Sequence, residues 1–154
     1  MADVTEMGLS TLGITFGYAV GSTKPSSFTQ LHRIVSIGEA AIDAETIDVS
    51  CLEDYTSKFV RGRGSVTDSI AVVVNWTDEI EAEWEAVLTA YNGRSSGETM
   101  WWEVIIPGHT KAAFFKAAPP TALPIPSMEQ NASFQNTMNL VMEDLVGWDT
   151  KVAF

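Results

Sequence analysis

Only one stretch of this 154-residue chain carries a helical period. In TDEIEAEWEAVLTAYNG (residues 77–93), Ile80, Trp84, Val87, Leu88 and Tyr91 fall at i, i+4, i+7, i+8 and i+11. That is a single apolar stripe, expected to pack a helix over residues 77–92 against a core. Thr77 or Asp78 is placed to cap it, and with Asp78 as cap Glu81 completes a capping-box pair. The acids of the first turns suit the positive end of the helix dipole, and Asn92-Gly93 supplies the stop. Glu79, Glu81, Glu83 and Glu85 point about 200° apart from one to the next, so they read as a solvated face and not as paired catalytic acids. The helix is a support, not a site.

Nearly everything else alternates with period two. Ile14, Phe16, Tyr18 and Val20 share one face of a first strand. After the turn-rich GSTKPSS, Leu31, Val35 and Ile37 are in phase along FTQLHRIVSI, read as one strand over 28–37. SIAVVVNW (69–76) is continuously apolar in its middle, as in a strand packed on both faces. TMWWEVII and KAAFFKAA flank PGHT as a hairpin, with Trp101 and Trp102 pointing to opposite faces. The four prolines of PPTALPIP restrict residues 119–126 to an edge or an extended connection. In SFQNTMNLVME, Phe134, Met138, Leu140 and Met142 oppose Gln135, Thr137 and Asn139. The ending DLVGWDTKVAF is apolar but irregular. The expected class is α+β, mainly β: a β-sandwich or partly closed barrel with one flanking helix, in a single domain over 1–154.

Composition removes several functions. With one cysteine, Cys51, the chain has no internal disulfide and no cysteine cluster for zinc. His32 and His109 stand singly, outside any metal-ligand spacing, and no phosphate loop or nucleophile elbow is present. No catalytic, cofactor or metal residue is assigned; no cofactor is expected. The start MADVTEMGLSTLG lacks a signal-peptide pattern, and no apolar run approaches the roughly 18–20 residues that span a bilayer. The expectation is a soluble chain, made in the cytoplasm, without membrane binding of its own. A net charge of −11 is poor for gripping DNA. Acidic surplus serves solubility, or a surface that lets nucleic acid pass without sticking.

One segment fits no monomeric purpose. AETIDVSCLEDYTSKFVRG (44–62) starts as a strand, with Ile47, Val49 and Cys51 alternating against Thr46, Asp48 and Ser50. It then becomes too long and polar for a tight turn. Glu39, Asp43, Glu45, Asp48, Glu53 and Asp54 come first, then Lys58, Arg61 and Arg63. An arm polarised in this way suits a heterologous contact with the next copy. The single RGRG reads as a turn with inter-subunit partners in preference to a nucleic-acid motif.

The run ETIDVSCLEDYTSKFVRG, set between LHRIVSIGEA and the acidic helix DEIEAEWEAV, resembles the tail tube (major tail) proteins of long-tailed bacteriophages. Glu45, Thr46, Ile47, Asp48, Val49, Lys58, Phe59 and Gly62 match the family's pattern, and the element order agrees over residues 14–143. Ser50-Cys51 and VRGRG depart from its usual Thr and Pro-Gly. The resemblance implies a virion protein, made in the host cytoplasm, whose hexameric rings stack into a conduit for DNA ejection. It implies assembly contacts through an arm at 44–64, by Glu45, Asp48, Glu53, Asp54, Tyr55, Lys58, Phe59, Arg61 and Arg63. Glu39, Asp43, Glu45 and Asp48 are candidates to face the lumen. Tape measure, tail terminator and tail tip or baseplate proteins would be partners, with DNA passing non-specifically. An inner-tube protein of a contractile injection or type VI secretion-like machine would share the fold; a non-assembling binding module or an enzyme is the remaining class. The N-terminal arm (1–13) and the tail (147–154) are expected to be loose in the free protein and ordered on assembly.

Overall fold

The computed structural model describes residues 12–154, so all but the last two residues of the N-terminal arm lie outside the described residues. Among the described residues, nine strands and one helix follow in chain order: β1 Thr15–Gly21, β2 Thr29–Leu31, β3 Ile34–Ile37, β4 Ile42–Asp48, β5 Phe59–Val66, β6 Ser69–Asn75, α1 Asp78–Asn92, β7 Thr99–Ile105, β8 Lys111–Ala118 and β9 Gln135–Thr150. Seven form an antiparallel sheet in the order β2-β1-β7-β8-β9-β6-β3; β4 and β5 form a separate ribbon.

Two features curl the large sheet into a partly closed barrel. First, the edge strands β2 and β3 are joined by His32-Arg33 alone. Three Cα steps of about 3.8 Å hold Leu31 and Ile34 within roughly 11 Å, so the sheet must bend its two edges together. Second, the long strand β9 pairs with β6 through its first half (135–141) and with β8 through its second (141–150). Bulges opposite Phe114/Phe115 and Lys116/Ala117 turn it from one part of the sheet to the other, the device by which strands switch layers at a corner. The expected sandwich or partly closed barrel is this arrangement.

The enclosed face collects the core. Phe16, Tyr18, Leu31, Ile70, Val72, Val74, Met100, Trp102, Phe115, Met138 and Leu140 meet Ile80, Trp84 and Val87 of α1 in one cluster. Trp102 sits at its centre, with Phe16, Trp84, Tyr18 and Phe115 at ring-centroid distances of 5.3, 6.0, 6.1 and 6.3 Å. Its indole N–H donates to the Ala117 carbonyl at 2.9 Å. Thr77 caps α1, accepting weakly from the Ile80 N–H at 3.4 Å. Of the helix residues expected in the core, Ile80, Trp84 and Val87 are fully buried, Tyr91 packs from the side, and Leu88 is half-buried outside the cluster.

The other face carries a smaller cluster of Phe28, Trp101, Ala112 and Phe114, partly covered by Val152. Trp101 and Trp102 do point apart, and both are buried.

Five local expectations change. The segment 28–37 is two strands, because Arg33 adopts φ 60° and the Glu83 carboxylate takes both the His32 N–H (3.1 Å) and its ring Nδ1 (2.6 Å). Glu83 is therefore a clamp across the sheet edges, and not part of a solvated face. In β6, Ile70, Val72 and Val74 are buried while Ser69 and Ala71 are exposed, so the strand is covered on one face only. Phe134 precedes β9 and is exposed; its phase is continued by buried Asn136, which donates to the Pro124 carbonyl at 2.7 Å and so anchors the proline-rich connection. The irregular ending is strand as far as Thr150.

Candidate functional site

The arm at 44–64 is built as a β-ribbon. Ile42 faces Val66, Asp43 Ser65 and Ala44 Gly64; beyond a bulge, Thr46 faces Arg61, Ile47 Val60 and Asp48 Phe59. The bulge sets Glu45 against both Gly62 and Arg63. The glycine leaves room there: a Cβ on Gly62 would lie 3.1 Å from the Ile47 side chain and 3.3 Å from the Glu45 carbonyl. Seven residues of β4 extend about 24 Å at roughly 3.4 Å each. Every residue of β4 is exposed. Two strands that pack on nothing are marginally stable alone; here the core anchors their base.

The tip is ordered by its own hydrogen bonds. The Val49 N–H donates to the Lys58 carbonyl (2.9 Å) and the Lys58 N–H to Ser50 Oγ (2.7 Å). Asp48 Oδ1 accepts from the Ser50 N–H and Asp54 Oδ2 from the Cys51 N–H, both at 2.9 Å. Bonds from Ser50 hold the Asp48 carboxyl below the usual carboxylate range, and bonds from Cys51 do the same for Asp54. Both stay ionised well into acid. Leu52 and Tyr55 project from this frame fully exposed.

The strand register separates the expected site residues. Asp43 and Glu45 share a face with Ile47, while Thr46, Asp48, Phe59 and Arg61 occupy the other. Glu39 lies in the exposed connection before β4. The four acids assigned to the lumen therefore do not converge on one face. Among the described residues, none of Glu45, Asp48, Glu53, Asp54, Lys58, Arg61 or Arg63 forms an ion pair within the chain. Ile47, Val49, Phe59 and Val60 are about half exposed. A hydrogen-bonded projection with exposed apolar side chains and charges outside any intrachain ion pair is suited to contact between molecules.

Leu52 escaped the sequence reading. Its signal was a lone large aliphatic between polar residues in the tip. Elsewhere, no group of His, Cys, Asp or Glu among the described residues gathers as metal ligands. No helix there is long and apolar enough to cross a membrane.

A profile of the phage tail tube protein family (TTP) matches residues 3–148. No curated protein matches the chain. Among solved structures, the tail of an empty gene transfer agent particle, refined helically with C6 symmetry, aligns at TM-score 0.57 and 13% identity, covering 90% of this chain and 95% of that one. A chain of the native gene transfer agent virion gives 0.60 at 14%, covering 92% and 99%. One from the anti-feeding prophage baseplate, 6-fold symmetrised, gives 0.58 at 10%, covering 97% and 99%. At these identities the structures establish a shared fold. The profile, spanning nearly the whole chain, carries the family assignment: this chain belongs to the phage tail tube proteins, structural components of the virion tail.

Proposed function

We propose that six copies of this chain close into a ring and that rings stack into a tube through which DNA passes without sequence-specific contact. The carrying observation is the ribbon: a projection whose charges form no ion pair among the described residues and whose Leu52 and Tyr55 are fully exposed. The C6 symmetry stated for the gene transfer agent tail of the same fold supports the ring number. A ribbon on one part of a subunit meeting a different part of the next makes a heterologous contact, and such contacts close into rings or propagate as filaments. Glu45, Asp48, Glu53, Asp54, Tyr55, Lys58, Phe59, Arg61 and Arg63 make these contacts, with Leu52 added. Asp43 and Glu45, sharing a face, are the better pair to line the lumen; Asp48 turns away from them. The role is architectural and not catalytic. Tape measure, terminator and tail tip or baseplate proteins are the further partners, and synthesis takes place in the host cytoplasm.

The test is deletion of residues 53–61. The protein should stay folded and soluble yet cease to polymerise. Normal tubes from that deletion would remove the ribbon as the assembly element. A second reading, the inner tube of a contractile injection machine, draws on the likeness to the anti-feeding prophage chain. A neighbouring sheath gene would favour it.

A further inference from the structure

We propose that the ribbon tip docks on the far end of β8 and β9 in a second copy of this chain, with Leu52 and Tyr55 against Trp148 and His109, and Glu53 and Asp54 toward Lys111 and Lys151. This rests on the ribbon being the assembly element and names the surface that receives it.

Lys111 opens β8 opposite Thr150, and Trp148 lies opposite Ala113 on the same side of the sheet. Trp148 is 53% exposed. The ring of His109, from the β7–β8 turn, lies 4.7 Å from the indole at 31°. His109 is itself fixed, its Nδ1 lying 2.8 Å from the Lys111 carbonyl and 3.2 Å from the Lys111 nitrogen. The result is a preformed aromatic platform.

The surroundings of the platform are basic in an acidic protein. Of nine Lys and Arg residues, Lys111 lies on the platform's side of the sheet, Lys151 follows its cross-strand neighbour Thr150, and Lys24 lies on the opposite face, over the Phe114 ring. The neighbouring acid, Asp149, is engaged by Lys24 at 3.3 Å, and Lys24 Nζ also donates to the Thr150 carbonyl at 2.7 Å. Lys111 and Lys151 form no ion pair among the described residues.

The tip is the complement. Residues 48–58 carry three carboxylates and one lysine around two fully exposed apolar side chains in a hydrogen-bonded frame. Aromatic and aliphatic anchors ringed by charges of opposite sign are what a specific contact between proteins uses. Other apolar depressions fit an acidic tip less well. That beneath the proline-rich connection, with Ile125, Met128 and Phe134, has Glu129 as its one charged residue. That between the start of β1 and β3 has no charged residue in its lining.

Charge exchange tests the pairing. Lys111→Glu with Lys151→Glu should abolish polymerisation, as should Glu53→Lys with Asp54→Lys, each with an unchanged melting temperature. All four together should restore tubes in negative-stain micrographs. Contact is tested separately through Cys51, the chain's single cysteine. A short bismaleimide should convert tubes of a Lys111→Cys variant into a ladder of covalent oligomers, lost on Cys51→Ser. Tubes that survive the Lys111 and Lys151 reversal, or polymerised Lys111→Cys protein that gives no ladder, would overturn this docking surface. If deleting 53–61 still blocks assembly in that case, the ribbon reading stands and only its receptor is wrong.

Discussion

Trp84 shows how far a single residue supports this fold. It is fully buried and stacks 6.0 Å from Trp102, so it joins α1 to the middle of the sheet. Replacing a large buried aromatic by alanine costs about 3–5 kcal/mol, and Trp84→Ala should lower the unfolding free energy in urea by that amount. Glu103 presents the opposite case. It is buried on the second face, with Oε2 accepting the Val152 N–H at 3.0 Å and Oε1 without a hydrogen-bond partner. Burial raises its pKa, partly offset by the Val152 bond and by Lys24. A carboxyl raised in the folded state binds its proton more tightly there than in the unfolded chain. Its contribution is thus most favourable below the unfolded value of about 4.3 and is lost as pH rises through the folded value. Glu103→Gln should therefore raise the melting temperature at neutral pH and remove the part of its pH dependence that begins at the unfolded carboxylate value. Calorimetry across pH 4–8 checks both. Asp149 runs the other way: bonds from Thr150 and Lys24 depress it, so its contribution fades as pH falls.

At the scale of elements, what was legible followed from how local the instructions are. The helix was legible because its stripe and caps lie within seventeen residues, and the β7–β8 hairpin because its turn and both strands are contiguous. The break at His32-Arg33 was not legible, since it depends on Glu83, 51 residues away in sequence. The strand character of the ending was hidden because two bulges break its alternation. The apolar run of β6 read as two buried faces, and the chain covers one of them. Of the candidate site, charge polarity and length were visible in the sequence. Which side chains share a ribbon face was not, because the Glu45 bulge and the strand register decide it. Since the ribbon lies outside the core, the melting temperature of the 53–61 deletion should stay within a few degrees of the parent, the shift produced by less than about 1 kcal/mol.

For the molecule as a whole, a net charge of −11 gives the proposed tube walls that repel a polyanion. Attractive contacts to phosphate would hold DNA in the tube. Screening confines the wall's influence to about 8 Å at physiological salt, so its sign matters where the duplex fits closely. Lysines substituted together at Asp43 and Glu45 should slow DNA ejection from assembled particles; unaltered ejection would remove these two acids from the lumen. The ring itself is decided by cryo-electron microscopy of the polymerised protein. A tube of stacked six-membered rings is expected, with each ribbon lying across a subunit boundary. A chain that stays monomeric at every concentration, or a tube whose ribbons touch no neighbour, would contradict it.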